Sequence, residues 1–86
     1  MATVKSGTLS ANTAAPVTCD AGDRGILVTN TAQSGIIYVS VGGTATVAGD
    51  DCYAVCGDRV IDVHGADVAL SLISSGTPTY SVEAIS

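Results

Sequence analysis

Three cysteines, Cys19, Cys52 and Cys56, and the single histidine His64 are the residues of this 86-residue chain best suited to hold a metal or attack an electrophile. Together they would make a Cys3His set. Structural zinc sites use such sets, but Cys52 and Cys56 are spaced Cys-x3-Cys with His64 eight residues further on, a spacing that fits no familiar finger. Thiol catalysis would pair Cys52 or Cys56 with His64. The nearest base to either thiol is Arg59 and several neighbours are acidic, which raises rather than lowers a thiol pKa. Asp62 and His64 alternate along one run and would face the same way in a strand, giving half of a hydrolytic triad. The other half is missing, because no serine sits in a G-x-S-x-G elbow and Ser74-Ser75-Gly76 reads as a turn. A Cys52–Cys56 disulfide would require the chain to reverse between them, since positions four apart on one strand are too distant to bridge. The expectation is therefore three structural thiols, no cofactor, no metal and no enzymatic activity.

Five of the eight acidic residues, Asp50, Asp51, Asp58, Asp62 and Asp67, fall within one stretch and raise the question of calcium. The EF-hand pattern is absent, and all but Asp62 lie in or beside turns, where Asp is favoured for its own backbone hydrogen bonds. Paired carboxylates for glycoside hydrolysis would need a cleft and stacking aromatics, and the chain has three tyrosines, no Trp and no Phe. Gly42-Gly43-Thr44 lacks the Gly-Lys-Ser/Thr ending and the following helix of a phosphate cradle. Tyr38, Tyr53 and Tyr80 lie in three different apolar runs, as rim residues of a core or as interface anchors.

The net charge is −5, with Lys5, Arg24 and Arg59 scattered along the chain. Nucleic-acid binding needs clustered cations to displace counterions from phosphates, and an anionic membrane needs the same. Neither partner is expected. The residues from Met1 to Gly7 lack the apolar run of a signal peptide, and no stretch is long and apolar enough for a spanning helix. Synthesis and folding in a cytoplasm are expected.

Short runs rich in Val, Ile and Thr alternate with Gly, Asn, Asp, Ser and Pro, which is the punctuation of strands. Strands are expected over residues 3–9, 14–19, 24–29, 36–41, 44–47, 52–55, 59–63, 68–74 and 79–85. Tyr80, Val82 and Ala84 alternate with Thr79, Ser81 and Glu83, and Val68, Leu70 and Leu72 with Ala69, Ser71 and Ile73. The run 24–29 is continuously apolar at its centre and reads as a central strand covered on both faces or touching another subunit. Gly42-Gly43 is the strongest hairpin signal, joining 36–41 to 44–47. No window carries a helical apolar stripe free of Gly. These features predict an all-β fold, a small antiparallel β-sandwich or barrel of about seven to nine short strands with no significant helix. Residues 1–86 read as one β domain, with residues 1–6 a candidate extended N-terminal arm. The 21 large aliphatics make a thin core, which a partner would help to stabilise.

Taken whole, the segments Gly35-Ile36-Ile37-Tyr38-Val39-Ser40-Val41-Gly42-Gly43, Ala48-Gly49-Asp50-Asp51-Cys52-Tyr53-Ala54-Val55 and Leu72-Ile73-Ser74-Ser75-Gly76-Thr77-Pro78-Thr79-Tyr80-Ser81-Val82-Glu83 resemble small β-rich virion proteins of tailed bacteriophages. Capsid decoration, or cement, proteins are the nearest group. The resemblance rests on Ala, Thr, Gly and Val richness and an acidic balance. It implies a structural protein made in the host cytoplasm that docks from outside onto the major capsid protein of an assembled phage capsid. It also implies a homo-oligomer, with a trimer favoured, that stabilises the lattice of the virion. Under this reading the contacts fall on the N-terminal segment or an exposed edge strand, with Ala2, Thr3, Val4, Lys5, Tyr38 and Tyr53 as candidate interface residues. A tail or head-tail connector component is the alternative nearest to it. A small cell-surface or carbohydrate-binding β module, with a concave site lined by tyrosines, is the other.

Overall fold

The computed structural model describes residues 4–32, 35–50 and 52–85. Eight strands follow one another: β1 (Val4–Thr8), β2 (Ala15–Cys19), β3 (Gly25–Asn30), β4 (Ile37–Val41), β5 (Tyr53–Val55), β6 (Asp58–Ile61), β7 (Val68–Ile73) and β8 (Thr79–Ile85). No helix forms among the described residues. The strands make two four-stranded sheets, ordered β1-β8-β3-β6 and β2-β7-β4-β5, with every neighbouring pair antiparallel. The architecture is a β-sandwich, one of the two that the alternating runs allow.

The strand order arises from one long hairpin rolled up on itself. β1 pairs β8, β2 pairs β7, β3 pairs β6 and β4 pairs β5. Val4 faces Glu83, Ala15 faces Leu72 and Ile26 faces Ile61, so one register runs through the first three pairs. Continued, that register would set Ile37 opposite Asp50. It faces Val55 instead, and the surplus residues are drawn into the loop between β4 and β5. An eight-stranded ribbon rolled this way is a jelly roll.

Period-2 patterning decides which side of each strand turns inward. Val17 and Cys19 of β2, Leu70 and Leu72 of β7, Ile37 and Val39 of β4 and Val55 of β5 meet Ile26 and Val28 of β3, Ile61 of β6 and Val82 of β8, with Leu9 closing one end. Aliphatic side chains and the Cys19 thiol fill this layer, and Tyr80 packs at its rim. β3 is an interior strand, flanked by β8 and β6, as its apolar centre suggests. Its expected covering on both faces is not complete. Ile26 and Val28 are fully buried, while Leu27 and Thr29 on the other side are half-exposed.

The expected strand at 44–47 and the Gly42-Gly43 hairpin do not form. β4 already has β5 on one side and β7 on the other, which leaves no free edge for a third partner. Gly42 does take the positive φ of 77° that its type allows, but its N–H donates to the Ala69 carbonyl of β7. The chain then crosses the outer face of the second sheet, and the Ala45 N–H donates to Ser71 Oγ at 3.0 Å in a buried contact. Ser40 and Ser71 face each other across β4 and β7 on that side and are both buried. A sheet with two hydroxyls on its outer face invites a backbone rather than a side chain to cover it, since a buried hydroxyl must be paired. The expected strand 59–63 also ends early, at Ile61, where the Val63 N–H bends back to the Ile61 carbonyl. Gly25, at φ 110°, lets β3 start against the Ile61 carbonyl, in space that any Cβ would occupy.

Candidate interaction surfaces

The topology separates the residues that could have shared chemistry. Cys19 ends β2 at one edge of its sheet, and Cys52 and Cys56 flank β5 at the other edge. Three strand spacings of about 4.8 Å put roughly 14 Å between those edges, too far for one metal. His64 lies beyond β6 in the other sheet, its Nε2 3.2 Å from Asp62 Oδ1, with both side chains largely exposed. Among the described residues no three His, Cys, Asp or Glu side chains gather. Cys52 and Cys56 are separated by an extended strand, so they cannot bridge within one chain. Burial pushes the Cys19 thiol above its usual range, Asp20 adds to this, and Lys5 opposes it. Its S–H also donates to the Asp20 carbonyl at 3.3 Å, which favours the neutral thiol.

Loops collect at the two ends of the sandwich, and their charge differs. At one end the β2–β3 and β6–β7 loops are tied by Ala21 N–H to the Gly65 carbonyl and by Asp67 N–H to Asp20 Oδ1. That end carries Asp20, Asp23, Asp62 and Asp67 against Arg24. At the opposite end Asn12 N–H donates to the Ser74 carbonyl, Leu9 N–H to Pro78, Thr31 N–H to Thr79 and Asn30 N–H to Gly57. These bonds gather residues 9–14, 31–32, 35–36, 56–57 and 74–78, and not one of them is charged. The split is written in the sequence, but only the topology shows which loops share an end.

Of the candidate interface residues, Ala2 and Thr3 lie outside the described residues, as do positions 1–3 of the candidate arm. Val4 and Lys5 belong to β1, an edge strand, opposite Glu83 and Val82. Tyr38 stands half-buried on the outer face of β4, between the inward Ile37 and Val39. Tyr53 is exposed at the β5 edge, with the Arg59 guanidinium 5.1 Å from its ring centroid. Tyr80 packs against the core, its hydroxyl beside Gly7. The tyrosines do not converge. An open groove of about 410 Å³ at the end with the uncharged loops is lined by Thr29, Asn30, Cys56, Gly57 and Asp58, so one carboxylate, at the start of β6, stands beside those loops. A second, of about 330 Å³, runs between Pro16, Leu70 and the Gly42-Gly43-Thr44 segment, and no tyrosine lines either groove. Sequence reasoning singled out Tyr53 but missed its partner Arg59, because β5 and β6 belong to different sheets. No family model, curated protein or solved structure matches the chain.

Proposed function

We propose that this chain is a structural virion protein that docks on the outside of a phage capsid and stabilises its lattice. The observation that carries this reading is the division of the sandwich into an end whose loops are uncharged, with Asp58 beside them, and an end whose loops are acidic. Dehydrating charged groups at an interface is costly, so the end with the uncharged loops is the cheaper one to press against a protein shell. Docked that way, Asp20, Asp23, Asp62 and Asp67 face solvent. The β1 edge runs up to the same end through Thr8 and Leu9 and offers backbone groups for strand addition. The jelly roll supports the reading by analogy alone, since viral capsid domains and lectins both use it. A carbohydrate-binding module would draw on the same fold, but the tyrosines that would stack a sugar are spread over separate surfaces.

The test is a titration of purified protein onto capsids of the source phage, with bound protein measured after sedimentation. Wild type should saturate. Ser75→Asp places a charge among the uncharged loops in a turn where Asp is well tolerated, and it should weaken docking at least several-fold. Removal of Ala2 and Thr3, which leaves β1 paired to β8, tests the N-terminal contact separately. Unchanged binding by Ser75→Asp would move the contact off this end.

A further inference from the structure

We infer that β5 is a self-complementary edge at which two copies of this chain pair and are locked by two symmetric disulfides. β5 is one of the two edges of its sheet, with β4 on one side only. Cys52 precedes it and Cys56 follows it, each one residue from the strand and equidistant from its central residue Ala54. Because Val55 points into the core, Cys52, Ala54 and Cys56 share the outer face, where Ala54 and Cys56 are exposed and Cys52 is half-buried.

An antiparallel strand pair related by a two-fold axis through Ala54 sets each residue opposite its mirror position. Cys52 then faces Cys56 of the second copy, and Cys56 faces its Cys52. Tyr53 faces the second copy's Val55, an aromatic against β-branched pair of the kind that stabilises sheets. Directly opposed residues in an antiparallel pair have Cα atoms about 4.5–5.5 Å apart, inside the range of about 4.4–6.8 Å that a disulfide spans. The same spacing that forbids a bridge within one chain therefore creates two bridges between chains. Cys19 takes no part, since it is buried on the far edge of the sheet.

Each bridge forms by thiol–disulfide exchange with a disulfide oxidant such as oxidised glutathione. One protein thiolate attacks a glutathione sulfur, releasing one glutathione thiol and leaving a mixed disulfide. The opposing thiolate displaces the second glutathione, so two protein thiols are oxidised and one glutathione disulfide is reduced. Arg59 guards the edge in the single chain, its Nη1 donating to the Ala54 carbonyl at 3.3 Å. The Cys52 S–H in turn donates to the Thr46 carbonyl at 3.7 Å, and pairing requires both exposed contacts to open. The two-fold pairing differs from the trimer that the resemblance implies, and it does not rest on the capsid reading.

The experiment treats the protein with oxidised glutathione and follows it by non-reducing gels, light scattering and peptide mapping. Wild type should give a covalent dimer whose inter-chain linkage is Cys52 to Cys56, lost on adding dithiothreitol. Cys52→Ser and Cys56→Ser should each lose the dimer, because each leaves a thiol facing a serine. Mixed together they should recover it, joined by one bridge. Arg59→Ala should speed the reaction. Retained protection of Cys19 from alkylation reports that the variants fold, and the wild-type map stands without them. The inference is overturned if wild type stays uncrosslinked, if Cys56–Cys56 linkages dominate, or if either single variant dimerises as readily as the mixture.

Discussion

The Arg59 guanidinium lies over the Tyr53 ring, 5.1 Å from its centroid, while its Nη1 donates to the carbonyl of neighbouring Ala54 at 3.3 Å. Arg59 belongs to β6 in one sheet and Tyr53 to β5 in the other, so a single long side chain closes one open side of the sandwich. Its aliphatic stem can cover apolar surface there while the charged head stays in water. Replacing Arg59 with Ala should lower stability by about 0.5–1 kcal/mol, the worth of an exposed cation–π contact, as read from urea unfolding. A loss well above that would mean the stem shields more core than its exposure suggests.

Gly25 and Gly42 both have positive φ, yet their substitutions should differ sharply. At Gly25 a Cβ would run into the Ile61 carbonyl, backbone that cannot move without parting β3 from β6. At Gly42 nothing lies within 4 Å, and only the backbone conformation resists. Gly42→Ala should cost about 1 kcal/mol and Gly25→Ala about 3 kcal/mol or more, measured in the same unfolding series. Equal effects would show that β3 can shift at its start.

Ser71 holds the loop that replaces the expected strand. Ser71→Ala leaves the buried Ala45 N–H without its acceptor, a loss of about 1–3 kcal/mol. Hydrogen exchange at the Ala45 amide should accelerate while Val39 and Leu72 stay protected. Unchanged exchange at Ala45 would mean that the loop is held by other contacts.

Cys19 gives the chain an alkaline liability. Its thiol is held above its usual value of 9.0 by burial and by Asp20, so the folded state retains a proton that the unfolded state gives up. The stability this contributes is fully present below about 9 and is lost as pH rises through the folded value. Unfolding free energy of the wild type should therefore fall above about pH 9 more than that of Cys19→Ala does. Parallel curves would remove Cys19 as the cause.

Much of the fold is legible in the residues and much of the surface is not. Alternation in 79–85 and 68–74 announces strands and their inner faces, because a half-buried strand can satisfy its core in one way only. The interior place of β3 follows from Ile26, Leu27 and Val28 in succession. Gly42-Gly43 misleads, since a turn signal states where a chain can bend and not which strand is free to receive it. Ser40 and Ser71 carry no mark that they lie buried under a loop, because that depends on pairing between segments far apart in sequence. The same limit hides the Arg59–Tyr53 contact and the gathering of uncharged loops at one end. A Cys52–Cys56 bridge, conditional on a chain reversal, fails within the chain because the three intervening residues are straight.

The proposal that this protein coats a capsid is tested most directly by cryo-electron microscopy of source-phage capsids incubated with excess purified protein. The account predicts added density on the outer surface at a fixed copy number per capsid subunit, fitted by the jelly roll with loops 9–14 and 74–78 against the shell and Asp20, Asp23, Asp62 and Asp67 pointing away. Bare capsids, in both the unexpanded and the expanded form, would contradict it and turn attention to the tail.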